Sequence, residues 1–437
     1  MRVSNPQPAS ERTVIVATFA AIVLFVGTWT LLHVGFYRHK QIIDTPIYQR
    51  YGNAIVHDGK VPYRDFAVEY PPGALPVFVL PGLAKPGAGQ NVTPAFRRTF
   101  ETLMWVCGTL ALIAMAVILR VLRRSVLNVW AVLCFAALAP LLVGSVILSR
   151  FDLWPAAICV AALAALVALR LRWGHALLGL GIAAKLYPGV LLPLGLAYAW
   201  KRGGSREALR CLGVSAAVVA VFFIPFLVLA PGGLWDSIHV QLTRPLQVES
   251  LGSALLLVGH HVFGYGLAGE TSHGSQNVAG SAARAAAIVT SVVQLAVLIW
   301  IWTSFARGRG DREALVRSAA AALCAFVAFG KVLSPQFMIW LIPIVPLVRG
   351  RRGLWASALL AVALVLTQIW FPFRYFRLAL HFEEGLSWVV LARDLILVTV
   401  TMLLVAALPN RDPNRLAARR ATVGTARDEH ALDSNVA

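Results

Sequence analysis

The sequence predicts an all-α polytopic membrane protein, on two observations of composition and one of pattern. The 437 residues are 58% hydrophobic and only 14% charged, whereas soluble domains carry about 25% charged residues. Several uninterrupted apolar runs reach the ~20 residues that carry a helix across about 30 Å of hydrocarbon. Basic residues gather in the short connections between those runs.

Spans are predicted at about 13–35, 99–120, 125–148, 153–170, 208–230, 283–305, 354–371 and 388–408. Shorter apolar pairs complete the set, at about 174–185 with 188–200 and about 314–331 with 336–348. Counting each half of a pair as a crossing makes about 12 transmembrane segments and puts both termini on one side. The first run is too long for a signal-peptide core and lacks a small-residue cleavage site, so it is read as a permanent span. Residues 1–408 form the integral membrane domain, with external segments at 36–98 and 231–281. The polar, charged stretch 409–437 reads as a disordered cytoplasmic tail.

The connections "RVLRRS", "RLRWGH", "KRGGSREALR", "RGRGDREALVR" and "RGRRG" share one side with both tails, and hold most of the +19 net charge. By the positive-inside rule that side is the cytoplasm. The basicity is thus an orientation signal, and membrane lipids rather than nucleic acid are the expected surroundings. The external segments carry nearly every acid able to do chemistry, so an active face would look to the periplasm or cell exterior. No P-loop or G-x-G-x-x-G occurs, in keeping with a face turned away from nucleotides. The five cysteines lie in or beside apolar runs without metal-ligand spacing and read as packing residues.

"GLGIAAKLYPGVLLPLG" and "FVAFGKVLSPQFMIWLIP" repeat one design: an apolar run, a lysine, a proline three or four residues later, another apolar run. Proline breaks the helix, and irregular backbone at that depth persists only inside protein or along a cavity. A lysine there needs a partner. For Lys185 and Lys331 the choice is between an internal Asp or the interface, and an anionic group such as a lipid phosphate.

Asp44 follows the first span in "KQIIDTPIYQRYG", where a lipid-borne substrate must pass, and a carboxylate there can act as a base on a hydroxyl. Asp65 (beside Arg64) and Glu69 follow in "PYRDFAVEYPPG", with Tyr48, Tyr51, Tyr63 and Tyr70 offering flat rings for a sugar. "YPPG" predicts a rigid, strand-like exit. Arg150 and Asp152 in "SRFDLWP" form either a local pair capping the next helix or part of a site. Arg244 and Glu249 in "RPLQVESLGS" belong to the second external segment. His239, His260 and His261 lack a third ligand at helical spacing for zinc. Arg393 and Asp394 read as a buried structural pair.

These stretches, in this order from about residue 40 to 348, resemble glycosyltransferase family 87, polytopic GT-C-type enzymes that use polyprenyl-phosphate-mannose. The distinctive pieces are "EYPP", "K-x-Y-P" and "K-V-L-S-P-Q". The resemblance implies a helical GT-C-like fold with external loops forming the active face, and an inverting transfer in which Asp44 is the base. It implies that Lys185 and Lys331 hold the donor phosphate, with Arg244 a further candidate. Tyr48, Asp65, Glu69, Tyr70, Asp152, Tyr187, Glu249 and Gln336 would line the sugar and acceptor site. The implied partners are a polyprenyl-phosphate-sugar donor and a glycolipid or glycan acceptor. No cofactor is expected, and the absence of a D-x-D pair in the first loop leaves a divalent metal open. The alternative is a secondary transporter or lipid flippase with discontinuous helices.

Overall fold

The computed structural model describes residues 7–38, 42–84 and 91–406; the tail expected over 409–437 lies outside them. Among the described residues seven helices are long and apolar enough to cross a membrane. α1 (Glu11–Leu31) begins where the Ser10 hydroxyl accepts from the Thr13 N–H, and at 1.5 Å per residue it is about 32 Å long. It turns Ile15, Val16, Phe19 and Val23 outward, an apolar face that lipid solvates.

The first external segment is not an open loop with an extended exit. It holds α2 (Thr45–Val56), a 3₁₀ turn at Pro72–Ala74 and α3 (Leu75–Gly82). Pro46, Pro72 and Pro76 stand in their first turns, where the missing N–H costs nothing and φ is already helical. α4 (Pro94–Val121), α5 (Val126–Val143), the single turn α6 (Val146–Ser149), α7 (Leu153–Val167) and α8 (Leu171–Ala184) follow. Gly73 meets the end of α8 so closely that a Cβ would come within 2.5 Å of the Ala183 backbone. Only glycine lets the first external segment seat there.

α9 (Leu192–Leu229) turns at Gly204, whose φ of 71° lies where L side chains are strained. That break falls in the basic connection predicted between two crossings. α10 (Pro231–Thr243) and α11 (Leu251–Phe263) come next. An unforeseen hairpin follows, β1 (Ala268–Ser272) antiparallel to β2 (Ser275–Ala279), with Ser272 opposite Ser275. Its two-residue turn, His273–Gly274, has positive φ at both positions, as such turns require. β2 also pairs with the 246–248 backbone through Val248 N–H to Gln276 O (3.1 Å) and Val278 N–H to Leu246 O (2.9 Å).

α12 (Ser281–Arg307) and α13 (Arg312–Ala328) precede the second broken pair. The run expected as a half-helix at 336–348 is instead a 3₁₀ turn, α14 (Met338–Leu341) and a second 3₁₀ turn. Pro343 and Pro346 prevent continuation, and residues 338–348 are buried throughout, as irregular backbone at that depth must be. α15 (Arg351–Trp370), α16 (Tyr375–His381) and α17 (Glu384–Val405) complete the bundle.

Hydrogen bonds sort the connections into two ends. At one, Ala9 N–H meets Arg124 O (2.7 Å), Arg124 reaches Glu313 and Leu347 O, Lys201 reaches Gly308 O, and Arg172 pairs with Glu207. These are the basic connections, and exposed Trp173, Trp200 and Trp355 stand beside them, as tryptophans do at a membrane interface. The acidic connections meet at the other end.

Candidate active site

Asp44 stands at the start of α2, and its Oδ2 accepts from Arg150 Nη1 and, at 3.4 Å, from the Tyr48 hydroxyl one helical turn on. The Tyr48 ring is fully buried, stacked on Phe78 at 4.8 Å and edge-on to Phe151 at 5.7 Å. This corrects the reading of Tyr48 as a sugar platform, because no face of the ring is left free. Burial pushes its phenol well above the usual range, so it serves Asp44 as a neutral donor. Arg150 is buried as well, with its Nε unpartnered. Burial brings its pKa down to about 10, against the opposing pull of Asp152 and Glu249, which leaves it cationic at neutral pH.

Arg150 and Asp152 are not the local capping pair that sequence left open. The Asp152 side chain makes no capping bond to α7. Its Oδ1 accepts from Lys185 Nζ and from Trp340 Nε1, both at 2.6 Å. Its Oδ2 is buried and unpartnered. Lys185 ends α8 in extended conformation, with its ammonium 4.8 Å from the Phe151 ring centre, 5.1 Å from Trp340 and 5.7 Å from Phe337. Tyr187 lies flat on Trp340 at 3.9 Å. Here sequence alone missed Phe151, Phe337 and Trp340; the signal was their place next to the motif residues.

The other two cations are differently placed. Lys331 Nζ donates to Leu242 O at 2.8 Å, and its own carbonyl accepts from Gln247 N–H at 3.0 Å. Among the described residues Arg244 donates only to the His273 carbonyl, at 3.4 Å, and its Nε is unpartnered. Burial lowers the Arg244 pKa, while Glu69, Tyr70, Glu249 and Tyr375 oppose that shift. Among the described residues neither cation has a carboxylate within ion-pair distance.

Glu249 is buried and accepts from Gln247 Nε2 at 2.5 Å, while its carbonyl accepts from Arg393 Nη2 at 2.7 Å. Burial raises its pKa to about 8 despite the nearby Arg393 and Arg150. Arg393 and Asp394 are the fully buried pair expected, 2.7 Å apart, and Arg393 also anchors the Glu249 loop. Glu69 is exposed, its carbonyl held by Gln241 and its carboxylate near the Gly274 tip of the hairpin. Gln336 is half-buried and accepts from Ser334. Asp65 stays apart: it is exposed and bound to Arg64 and the Val61 N–H, with its pKa held near 2 mainly by Arg64. Among the described residues no three His, Cys, Asp or Glu side chains converge as a metal site.

The fold and these charges define a membrane-embedded helical protein with a polar, aromatic-walled cluster at the end away from its basic loops. A profile of glycosyltransferase family 87 matches residues 68–335, and the chain belongs to that family. It is therefore a membrane glycosyltransferase, and residues 268–408 also match a profile described as mannosyltransferase (PIG-M). Asp44, Tyr48 and Asp65 precede the family match, and Gln336 lies just past it. No curated protein matches. Two solved structures are similar over most of the chain. ArnT from Cupriavidus metallidurans bound to undecaprenyl phosphate is 16% identical with a TM-score of 0.46, covering 91% of this chain and 77% of that one. An Archaeoglobus fulgidus oligosaccharyltransferase in the apo form is 12% identical with a TM-score of 0.44, covering 90% of this chain and 55% of that one.

Proposed function

We propose that the protein moves a sugar, mannose on the family evidence, from a polyprenyl-phosphate donor to a hydroxyl of a lipid-linked or envelope glycan. The reaction takes place on the face away from the cytoplasm, with both termini cytoplasmic. The observation that carries this reading is the gathering of Asp44–Arg150, Asp152–Lys185, Arg244 and Lys331 at the end remote from the basic loops.

Asp44 takes the acceptor proton as the acceptor oxygen attacks C1 of the sugar. The C1–O bond to phosphate breaks and its electron pair leaves with the polyprenyl phosphate, inverting C1. Lys185 is largely neutralised by Asp152, so the leaving phosphate falls to Arg244 and Lys331, which lack an ion-pair partner among the described residues. Arg150 orients Asp44. Tyr70, Glu69 and Gln336 surround the sugar and acceptor, while Tyr187 and Glu249 are buried like Tyr48 and offer no free surface.

The test is label transfer from polyprenyl-phosphate-mannose to envelope glycolipids in membranes holding wild type or Asp44→Asn at equal expression. Loss of a general base typically costs about 10²–10⁴ in rate, so product should vanish in the variant. Equal product would remove Asp44 from the mechanism, and no product with wild type would overturn the donor.

A further inference from the structure

Three consecutive residues between α6 and α7 each reach a different part of the cluster. Arg150 holds Asp44 at the start of α2. Phe151 meets the Tyr48 ring edge-on at 5.7 Å and the Tyr70 ring at 4.8 Å. Asp152 takes Lys185 from the first break and Trp340 from the second. None of the three is more than 7% exposed, so this short turn is a fixed reference for the segments around it.

Trp340 has no part in the reaction as written above. Its stretch, "KVLSPQFMIW", also carries Lys331 and Gln336, and runs as irregular chain, a 3₁₀ turn and the single turn of α14. Such backbone lacks the cooperative ladder of bonds that stiffens a long helix, so side-chain contacts decide where it sits. Lys331, at one end, is tied to the second external segment through Leu242 O and the Gln247 N–H. Trp340, at the other end, ties the same stretch to the turn that carries Arg150. Its indole stacks on Tyr187 at 3.9 Å with the planes 4° apart, and on Phe337 at 4.1 Å. Stacked rings can still slide and turn. The Nε1–H bond to Asp152 Oδ1, 2.6 Å long, removes that freedom, because a bond to a charged acceptor is short, strong and directional. Asp152 Oδ1 already has Lys185, while Oδ2 has no partner among the described residues. Relief of an orphan acceptor therefore does not account for the contact; the placing of the Lys331 stretch does.

We infer that Trp340 is a positioning residue for the transfer: through Asp152 and the 150–152 turn it fixes how far Lys331 and Gln336 stand from Asp44. This role rests on Asp44 being the base and Lys331 meeting the phosphate. The sugar C1 must lie between the two, and a misplacement of about 1 Å can cost about 10²-fold in rate. Side chains that hold a reacting constellation in register act in this way without touching the substrate.

The experiment is steady-state transfer from polyprenyl-phosphate-mannose by the purified full chain, wild type against Trp340→Phe, beside a melting curve of each. Phenylalanine keeps a ring for the stack and removes the N–H. kcat should fall about tenfold while KM for the donor stays within about twofold, because Lys331 and Arg244 still meet the phosphate. Tm should drop less than for Trp340→Leu, which loses the ring as well. An unaltered kcat would overturn the role, and so would a rise in KM with kcat kept, which would make Trp340 part of donor binding. A Tm loss equal to that of Trp340→Leu would overturn it too, leaving the contact a scaffold bond. Lack of transfer by the wild type would take the Asp44 reading down with it, whereas wild-type transfer matched by Trp340→Phe removes this role alone.

Discussion

Lys185 and Lys331 stand at the same place in the same sequence pattern, yet the fold gives them opposite surroundings. Lys185 is held by a fully buried Asp152 at 2.6 Å among three aromatic rings. Lys331 is half-buried and donates to a main-chain carbonyl. A repeated motif therefore marks where helices break and says little about what each break does. At the first break the lysine answers a carboxylate from α7; at the second, no carboxylate among the described residues comes within ion-pair reach.

Removing the buried partner should have the larger effect on folding. Lys185→Met leaves Asp152 charged and alone in the core, a change that costs about 3–5 kcal/mol where one member of a buried pair is lost. Chemical unfolding in mixed micelles would measure it, and adding Asp152→Asn should recover much of the loss. A single-variant cost below about 1 kcal/mol would dissolve the contrast between the lysines.

Lys331→Met should leave stability nearly unchanged and raise KM for the polyprenyl-phosphate donor about tenfold, the equivalent of about 1.4 kcal/mol. Steady-state kinetics beside a melting curve separates the two. A melting loss like that of Lys185→Met, with KM unmoved, would make both lysines structural.

Glu249 tests the same boundary between site and scaffold through pH. Burial raises its pKa from 4.5 to about 8, so the folded protein keeps a proton that the unfolded chain gives up. Its contribution to stability is full below about pH 4.5 and declines as pH climbs to about 8. Glu249→Gln should flatten that fall, read by melting across the interval. An unchanged slope would place the titrating group elsewhere.

The smallest effect is expected at Asp65. Its carboxylate is exposed and serves Arg64 and a local N–H, so Asp65→Asn should leave label transfer at the wild-type rate. A clear loss of transfer would bring the α2–α3 connection into the site.

Much of the fold was legible because hydrocarbon demands long apolar helices, and runs such as 99–120 and 388–408 leave no alternative. The helical content of the first external segment was not, because α2 is short and its burial depends on α3 and on the distant rings Phe100 and Phe151 packing against it. Within the polar cluster, Asp44, Asp152, Lys185 and Glu249 were singled out from residue type and position. Tyr48 was misjudged because a tyrosine in an external segment looks the same whether its ring meets a sugar or Phe78. The partners were harder still: Arg150 is two residues from Asp152 in sequence but pairs with Asp44, more than a hundred residues away.

By itself the sequence determined the membrane class, the two charge-segregated ends, the broken helices and the family motifs. Each of these follows from local composition, helix propensity or the cost of burying charge. Tertiary structure alone decided which acid meets which base, which lysine is buried, and that a β-hairpin pins the Glu249 loop. Those outcomes depend on contacts between residues far apart in the chain, and burial by a distant neighbour leaves no mark on the residue it covers.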